Sequence, residues 1–150
     1  MKKLLRPLTM WLLLMALPVS AWAAPFVATA TAGVNLRSGP STEHSILWNL
    51  PVQGYPLQVV EERGDWIRVV DFEGDGGWVA QSLVGPNHAL IVTSDNVNLR
   101  SGPGTNFDIV AKTNRGVMLT IVKKKGQWLQ VDVPGHKGEA WIFNTLCWGE

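Results

Sequence analysis

Residues 33–37 alternate in polarity. Val34 and Leu36 are apolar while Asn35 and Arg37 are polar, a period of two that predicts a half-buried strand. Ile46-Leu47-Trp48 reads as a short apolar strand and Leu57–Val60 as another. Trp66–Val70 alternates again, with Ile67 and Val69 on one face and Trp66, Arg68 and Val70 on the other. Gly77–Ala80 is predicted to close the set, and Gln81–Val84 to form a short helical turn or tail. Between these runs lie turn residues: Ser38-Gly39-Pro40-Ser41-Thr42, a loop from Pro51 to Pro56 pivoting on Gly54, a hairpin tip at Glu61–Asp65, and the exposed turn Asp71–Gly77. Pro25–Ala32 reads as a lead-in edge strand. The remainder shows short strands and glycine turns rather than helical periodicity.

The pattern occurs twice. Val34-Asn35-Leu36-Arg37-Ser38-Gly39-Pro40 returns letter for letter at Val97-Asn98-Leu99-Arg100-Ser101-Gly102-Pro103. Gly64-Asp65-Trp66-Ile67-Arg68-Val69 faces Gly126-Gln127-Trp128-Leu129-Gln130-Val131, Trp78 faces Trp141, and Leu83 faces Leu146. The chain therefore holds one unit twice. Gly85-Pro86-Asn87-His88 is the linker, too short for independent tumbling, so the units are expected to lie in a fixed arrangement.

The first 23 residues have another character. Lys2, Lys3 and Arg6 precede the apolar run Trp11–Leu17, and Ala21-Trp22-Ala23 has the small-x-small pattern of a signal-peptidase site. Residues 1–23 are expected to be a signal peptide, leaving Ala24 as the mature N-terminus, residues 24–87 as the first domain and 88–150 as the second. No later stretch is apolar and long enough to span a bilayer, so no stable membrane span is expected after cleavage. Export is expected, with a periplasmic destination.

Without Lys2, Lys3 and Arg6 the 13 basic residues become 10, against 12 acids. Such a chain is not built for nucleic acid. The first unit is acidic and the second basic, with Lys123-Lys124-Lys125 expected at a solvated hairpin tip. Cys147 is the single cysteine, so the fold has no internal disulfide; it is read as a buried small hydrophobe, or else as a partner in an intermolecular disulfide.

Asn-Leu-Arg-Ser-Gly-Pro, a lone glycine, Gly-x-Trp-x-x-Val and Gly-Trp-Val resemble the bacterial SH3-like (SH3b) domain, here in tandem. Asp71–Val79 with Gln81-Ser82-Leu83 is especially similar to small exported proteins built from two such modules. The resemblance implies an all-β chain of two SH3-like small β-barrels, each of about five to six antiparallel strands. It also implies a cell-envelope location and binding rather than catalysis, with peptidoglycan or its peptides as ligand. The polyproline shelf of eukaryotic SH3 domains is absent.

The expected function is a non-catalytic binding module of the cell envelope that recognises peptidoglycan; the alternative is an envelope protein-interaction or assembly factor. Arg37 and Arg100 are candidate carboxylate ligands, or else each fixes its own Ser-Gly-Pro loop through backbone carbonyls. Trp66, Trp78, Trp128 and Trp141 repeat and are read as core or wall. Trp48, Tyr55, Phe72 and Phe107 face Ala111, Val117, Pro134 and His44, so the fold does not require them and they are candidate recognition residues. The groove is expected between the loop after Arg37 and the loop around Gly54, with a matching one in the second unit. No metal or cofactor is expected: the three histidines lack ligand spacing, and Asp71, Glu73 and Asp75 lack the full pattern of a calcium loop. Cys147 and His136 are the one conceivable nucleophile and base, without an oxyanion-hole motif.

Overall fold

The computed structural model describes residues 25–150; the expected signal peptide and its cleavage point lie outside them. Among the described residues the chain is all-β, with two sheets and only single turns of 3-10 helix at Gln81–Leu83 and Asn144–Leu146. The first sheet contains β1 (Phe26–Thr29), β2 (Val34–Arg37), β3 (Ile46–Leu50), β4 (Pro56–Arg63), β5 (Trp66–Val70), β6 (Gly76–Ala80) and β7 (Val84–Pro86). The second repeats it as β8 (Ala89–Val92), β9 (Val97–Arg100), β10 (Ile109–Thr113), β11 (Met118–Lys125), β12 (Trp128–Asp132), β13 (Ala140–Phe143) and β14 (Cys147–Trp148).

Each sheet is an antiparallel ladder of seven strands, ordered β3-β2-β6-β5-β4-β1-β7 and β10-β9-β13-β12-β11-β8-β14. Where closed barrels are expected, each ladder stays open in its hydrogen bonding: among the described residues β3 and β7, and β10 and β14, pair on one side. The lead-in strand is internal rather than an edge: β1 pairs with β4 on one side and β7 on the other.

The period-two pattern fixes which side chains go inward. Val34, Leu36, Leu57, Ile67, Val69 and Val79 form one core, and Val97, Leu99, Leu119, Leu129, Val131 and Ile142 form its counterpart. Each such side chain contributes roughly 1.5–3 kcal/mol when buried. The second core is fuller, because Leu90 and Val92 stand where the first unit has Val27 and Thr29. Thr29 is buried and satisfied: its Oγ1 donates to the Val52 carbonyl at 2.7 Å and accepts the Tyr55 amide at 3.0 Å.

Both expected hairpins form, with tips shorter than expected. Glu61–Arg63 belong to β4 and Lys123–Lys125 to β11, paired with Trp66–Arg68 and Trp128–Gln130. The reversal needs only Gly64-Asp65 and Gly126-Gln127, whose glycines take φ of 59° and 60°. Long charged side chains stay solvated on a paired strand, so the lysine run does not end it. Both long strands also carry a bulge, where the register shifts past Val60 and Val122.

The units touch along a seam. Phe26 meets Trp148 edge-on, with centroids 4.8 Å apart. Asn87 Nδ2 donates to the Ala89 carbonyl at 2.8 Å and to the Gly149 carbonyl, joining the linker to the far end of the chain. Arg115 reaches back to the first unit, with Nη2 3.1 Å from Glu73 Oε1 and its guanidinium over Phe72.

Candidate functional site

The arginine of the repeated heptapeptide has the same bonds in both units. Arg37 Nη1 donates to the carbonyls of Thr42 at 2.9 Å and His44 at 2.8 Å. Arg100 Nη1 donates to Thr105 at 3.0 Å and Phe107 at 2.8 Å. One nitrogen thus holds each Ser-Gly-Pro loop, as the second reading of these residues anticipates.

His44 and Phe107 also share a position. A Cβ added to Gly39 would strike the His44 ring, and one added to Gly102 would strike Phe107. Each ring lies on the loop glycine. His44 is further fixed by Ser41, with Oγ 2.8 Å from Nδ1. Phe107 differs in kind from His44 but occupies the same place.

The other candidates are scattered. Trp48 stands on the edge strand β3, exposed beside Ile46 and Leu47. Tyr55 packs against the first core. Burial, followed by the charges of Asp71, Glu73 and Asp75, pushes its phenol up to about 12. Phe72 lies at the seam, 5.1 Å beneath the Arg115 guanidinium. Gly54 lines a depression of about 390 Å³ with Gln53, Pro86 and His88, so it does not share a groove there with the loop after Arg37. Asp71 Oδ1 accepts the amides of Glu73 and Asp75, both at 2.9 Å, which gives the acidic turn a local purpose.

Of the six candidate residues, Arg100 lines a cleft of about 630 Å³ in the second unit. That volume falls within the range of about 300–1,000 Å³ usual for small-ligand sites. Trp128 and Phe143 form its aromatic surface, with centroids 5.2 Å apart and planes at 60°. Leu146 adds an aliphatic patch, and the rim is polar, from Asp95 and Asn96 on one side to Thr105 and Asn106 on the other.

The first unit lacks several of these features. Phe143 faces Ala80, so the aromatic pair has no counterpart. Asn35 opposes Asn49, and Asn49 Nδ2 donates to Asn35 Oδ1 at 2.7 Å. Asn98 instead opposes Lys112. Its carboxamide lines the cleft, and its buried Oδ1 has no hydrogen-bond partner among the described residues. An unmet acceptor of this kind costs about 1–3 kcal/mol. Asn96 sits at φ 54° where the first unit has Gly33, a left-handed backbone that asparagine tolerates better than most residues.

The rim is tied to the seam. Asn114 Oδ1 accepts the Asn96 amide at 3.0 Å, and Asp95 Oδ1 accepts the Arg115 amide at 3.2 Å. Arg115 therefore connects the cleft's loop to Glu73 and Phe72 of the first unit.

Asn98, Trp128 and Phe143 escape the sequence-based choice. Phe143 carries the signal used for the others, an aromatic in one copy alone. Trp128 does not, because it repeats as Trp66.

Trp78 and Trp141 are buried, whereas Trp66 and Trp128 are half-buried. Cations lie over the buried pair: Arg63 is 5.0 Å from the Trp78 ring and Lys123 is 5.3 Å from Trp141. Trp141 Nε1 donates to Glu139 at 3.0 Å, a bond that together with Lys123 lowers the Glu139 carboxyl below its ordinary range.

Cys147 Sγ is 3.3 Å from the Asn144 carbonyl, and burial followed by the Glu150 charge pushes the thiol up to about 12. That disfavours the nucleophilic thiolate. Among the described residues, no three His, Cys, Asp or Glu side chains are grouped to hold a metal.

The paired sheets and twice-used loop are those of a known domain class. The profile of the bacterial SH3 domain matches residues 30–86 and 93–149, and the chain belongs to that family. One relative is the "Putative N-acetylmuramoyl-L-alanine amidase YrvJ" of Bacillus subtilis (strain 168), 26% identical over 124 residues. That match takes in 75% of this chain but 23% of the relative. Among solved structures, an NlpC/P60 family protein from Bacillus cereus ATCC 10987 is 13% identical over 82% of this chain and 55% of its own, at a TM-score of 0.37. NlpC1 from Trichomonas vaginalis is 13% identical over 87% of this chain and 48% of its own, at 0.36.

Proposed function

We infer that this protein is a binding unit of the bacterial cell envelope that holds peptidoglycan in the cleft of its second module, while the first module braces that cleft through Arg115. The observation that carries this reading is the asymmetry of two otherwise matching copies. Phe143 and the unpaired Asn98 occur in one copy, at one cleft. Membership of the bacterial SH3 domain family and a relative named for an amidase supply the envelope context. The amidase activity in that name is not carried over, because the chain matches 23% of that protein. The role is binding without catalysis, in keeping with a raised Cys147 thiol. An exported, periplasmic location suits this reading, and no helix of the described residues is long and apolar enough to cross a membrane.

The test is co-sedimentation of the purified protein with isolated sacculi. Saturable pelleting at low salt is expected; protein left in the supernatant would overturn the reading.

One observation favours the alternative of an envelope protein partner. Ile46, Leu47 and Trp48 are 52%, 50% and 47% exposed on the edge strand β3. An open edge with apolar side chains can take an extended segment of another protein. Under that reading Trp48→Lys removes a dominant crosslink in an envelope extract; under peptidoglycan binding it leaves sacculus pelleting unchanged.

A further inference from the structure

We propose that the second-module cleft is a saccharide site selective for an N-acetylated hexosamine, with the sugar ring on Trp128 and its acetamido group at Asn98. The proposal rests on the cleft being the ligand site of the protein and names the chemistry it takes.

The first ground is the pairing of an aromatic surface with a polar rim. Trp128 is half-buried and Phe143 stands beside it at 5.2 Å. A pyranose has an apolar face of C–H groups that packs on such a ring, and an edge of hydroxyls that needs both donors and acceptors. Asn96, Thr105 and Asn106 provide both. A charged peptide end would call for a free cation or anion. The cation that lines the cleft, Arg100, has Nη1 bonded to the carbonyls of Thr105 and Phe107. The Asp95 carboxylate has one oxygen on the Arg115 amide at 3.2 Å, and its second oxygen can accept from a sugar hydroxyl.

The second ground is Asn98. Its first-module equivalent has its oxygen supplied by Asn49, whereas Asn98 faces Lys112 and its Oδ1 is unpaired. The carboxamide lines the cleft, and a half-turn about its last torsion exchanges its oxygen and nitrogen. The atom that faces the cleft then meets one half of a secondary amide, Nδ2 donating to its carbonyl or, after the half-turn, Oδ1 accepting its N–H. The acetyl methyl has the apolar surfaces of Phe143 and Leu146 beside it. A plain hexose supplies hydroxyls but neither that planar amide nor the methyl.

The test follows the Trp128 indole N–H by NMR in isotope-labelled protein. The probes are N,N′,N″-triacetylchitotriose, cellotriose and the blocked dipeptide N-acetyl-alanyl-alanine methylamide. The expected result is a saturable shift with the acetylated trimer and affinities about tenfold weaker for the other two, the scale of one lost amide pairing. Asn98→Leu brings the trimer down to the cellotriose level. If Asn98→Leu loses the native spectrum, Phe143→Ala replaces it with the same expectation, since the first module carries alanine there.

Equal affinity for trimer and cellotriose overturns the acetamido assignment. Tighter binding of the dipeptide makes the cleft a peptide groove and overturns the sugar. No shift at Trp128 with any probe overturns the proposal outright. Sacculus pelleting of the same sample separates the two levels. Pelleting that Phe143→Ala abolishes, without a trimer shift, leaves the peptidoglycan reading standing and the saccharide proposal refuted. A trimer shift without pelleting does the reverse.

Discussion

Arg115 of the second module lies over the Phe72 ring of the first, 5.1 Å from its centroid, and its Nη2 is 3.1 Å from Glu73 Oε1. The acidic turn and the basic module meet here through one side chain. Both charged groups remain about half exposed, so the ion pair is worth only about 0.2–1 kcal/mol, and the ring contact about 0.5–1 kcal/mol. Arg115→Ala is expected to lower stability in urea unfolding by about 1 kcal/mol. A double-mutant cycle with Phe72→Ala should return a coupling of about 0.5 kcal/mol or more. Strict additivity would show that the contact contributes nothing.

The loop glycines give a sharper test. Gly102 has no room for a methyl because the Phe107 ring occupies the space. Gly102→Ala is expected to cost about 1–3 kcal/mol, as overpacked sites do. Phe107→Ala in the same chain should recover most of that loss. A double variant no better than Gly102→Ala alone would mean that the ring is not the obstacle.

Arg100 separates two roles by stability. Its Nη1 bridges two carbonyls, and a lysine ammonium on a flexible stem does not reproduce that fixed geometry. Arg100→Lys and Arg37→Lys should each lower stability by about 1–2 kcal/mol, the scale of a charged hydrogen bond. Unchanged unfolding midpoints would remove the loop-fixing role.

Tyr55 is the single tyrosine of the chain, which makes its titration readable. Burial and then the acids Asp71, Glu73 and Asp75 hold its folded-state pKa at about 12, against 10.0 for the free group. The unfolded chain therefore loses this proton first. The associated stability is complete below pH 10 and falls as pH rises toward about 12. Phenolate absorbance should appear near pH 12 in folded protein and near pH 10 in urea. Coincident titrations would refute the burial of the ring.

The strands were legible because period two reports burial directly: Val34, Leu36, Ile67 and Val69 all point into the core as their alternation requires. Gly64 and Gly126 marked the reversals, but the charged runs beside them concealed how far the strands continue. The site was less legible for two reasons. The unpaired state of Asn98 depends on which residue opposes it: both units share one bulged register, and Lys112 stands where the first unit has Asn49. A non-repeating aromatic also need not be free for recognition, since Phe107 occupies the place of His44 and Phe72 supports the seam. Phe143 meets the same criterion and does line the cleft.

The central claim is that one cleft, in the second module, carries the ligand. Co-sedimentation with isolated sacculi, comparing Phe143→Ala and Trp48→Ala with the unaltered protein, tests it most directly. The account predicts an affinity about tenfold lower for Phe143→Ala, the scale of a truncated aromatic anchor, and no change for Trp48→Ala. Full binding by Phe143→Ala with loss in Trp48→Ala would contradict it and move the site to the first module's edge strand.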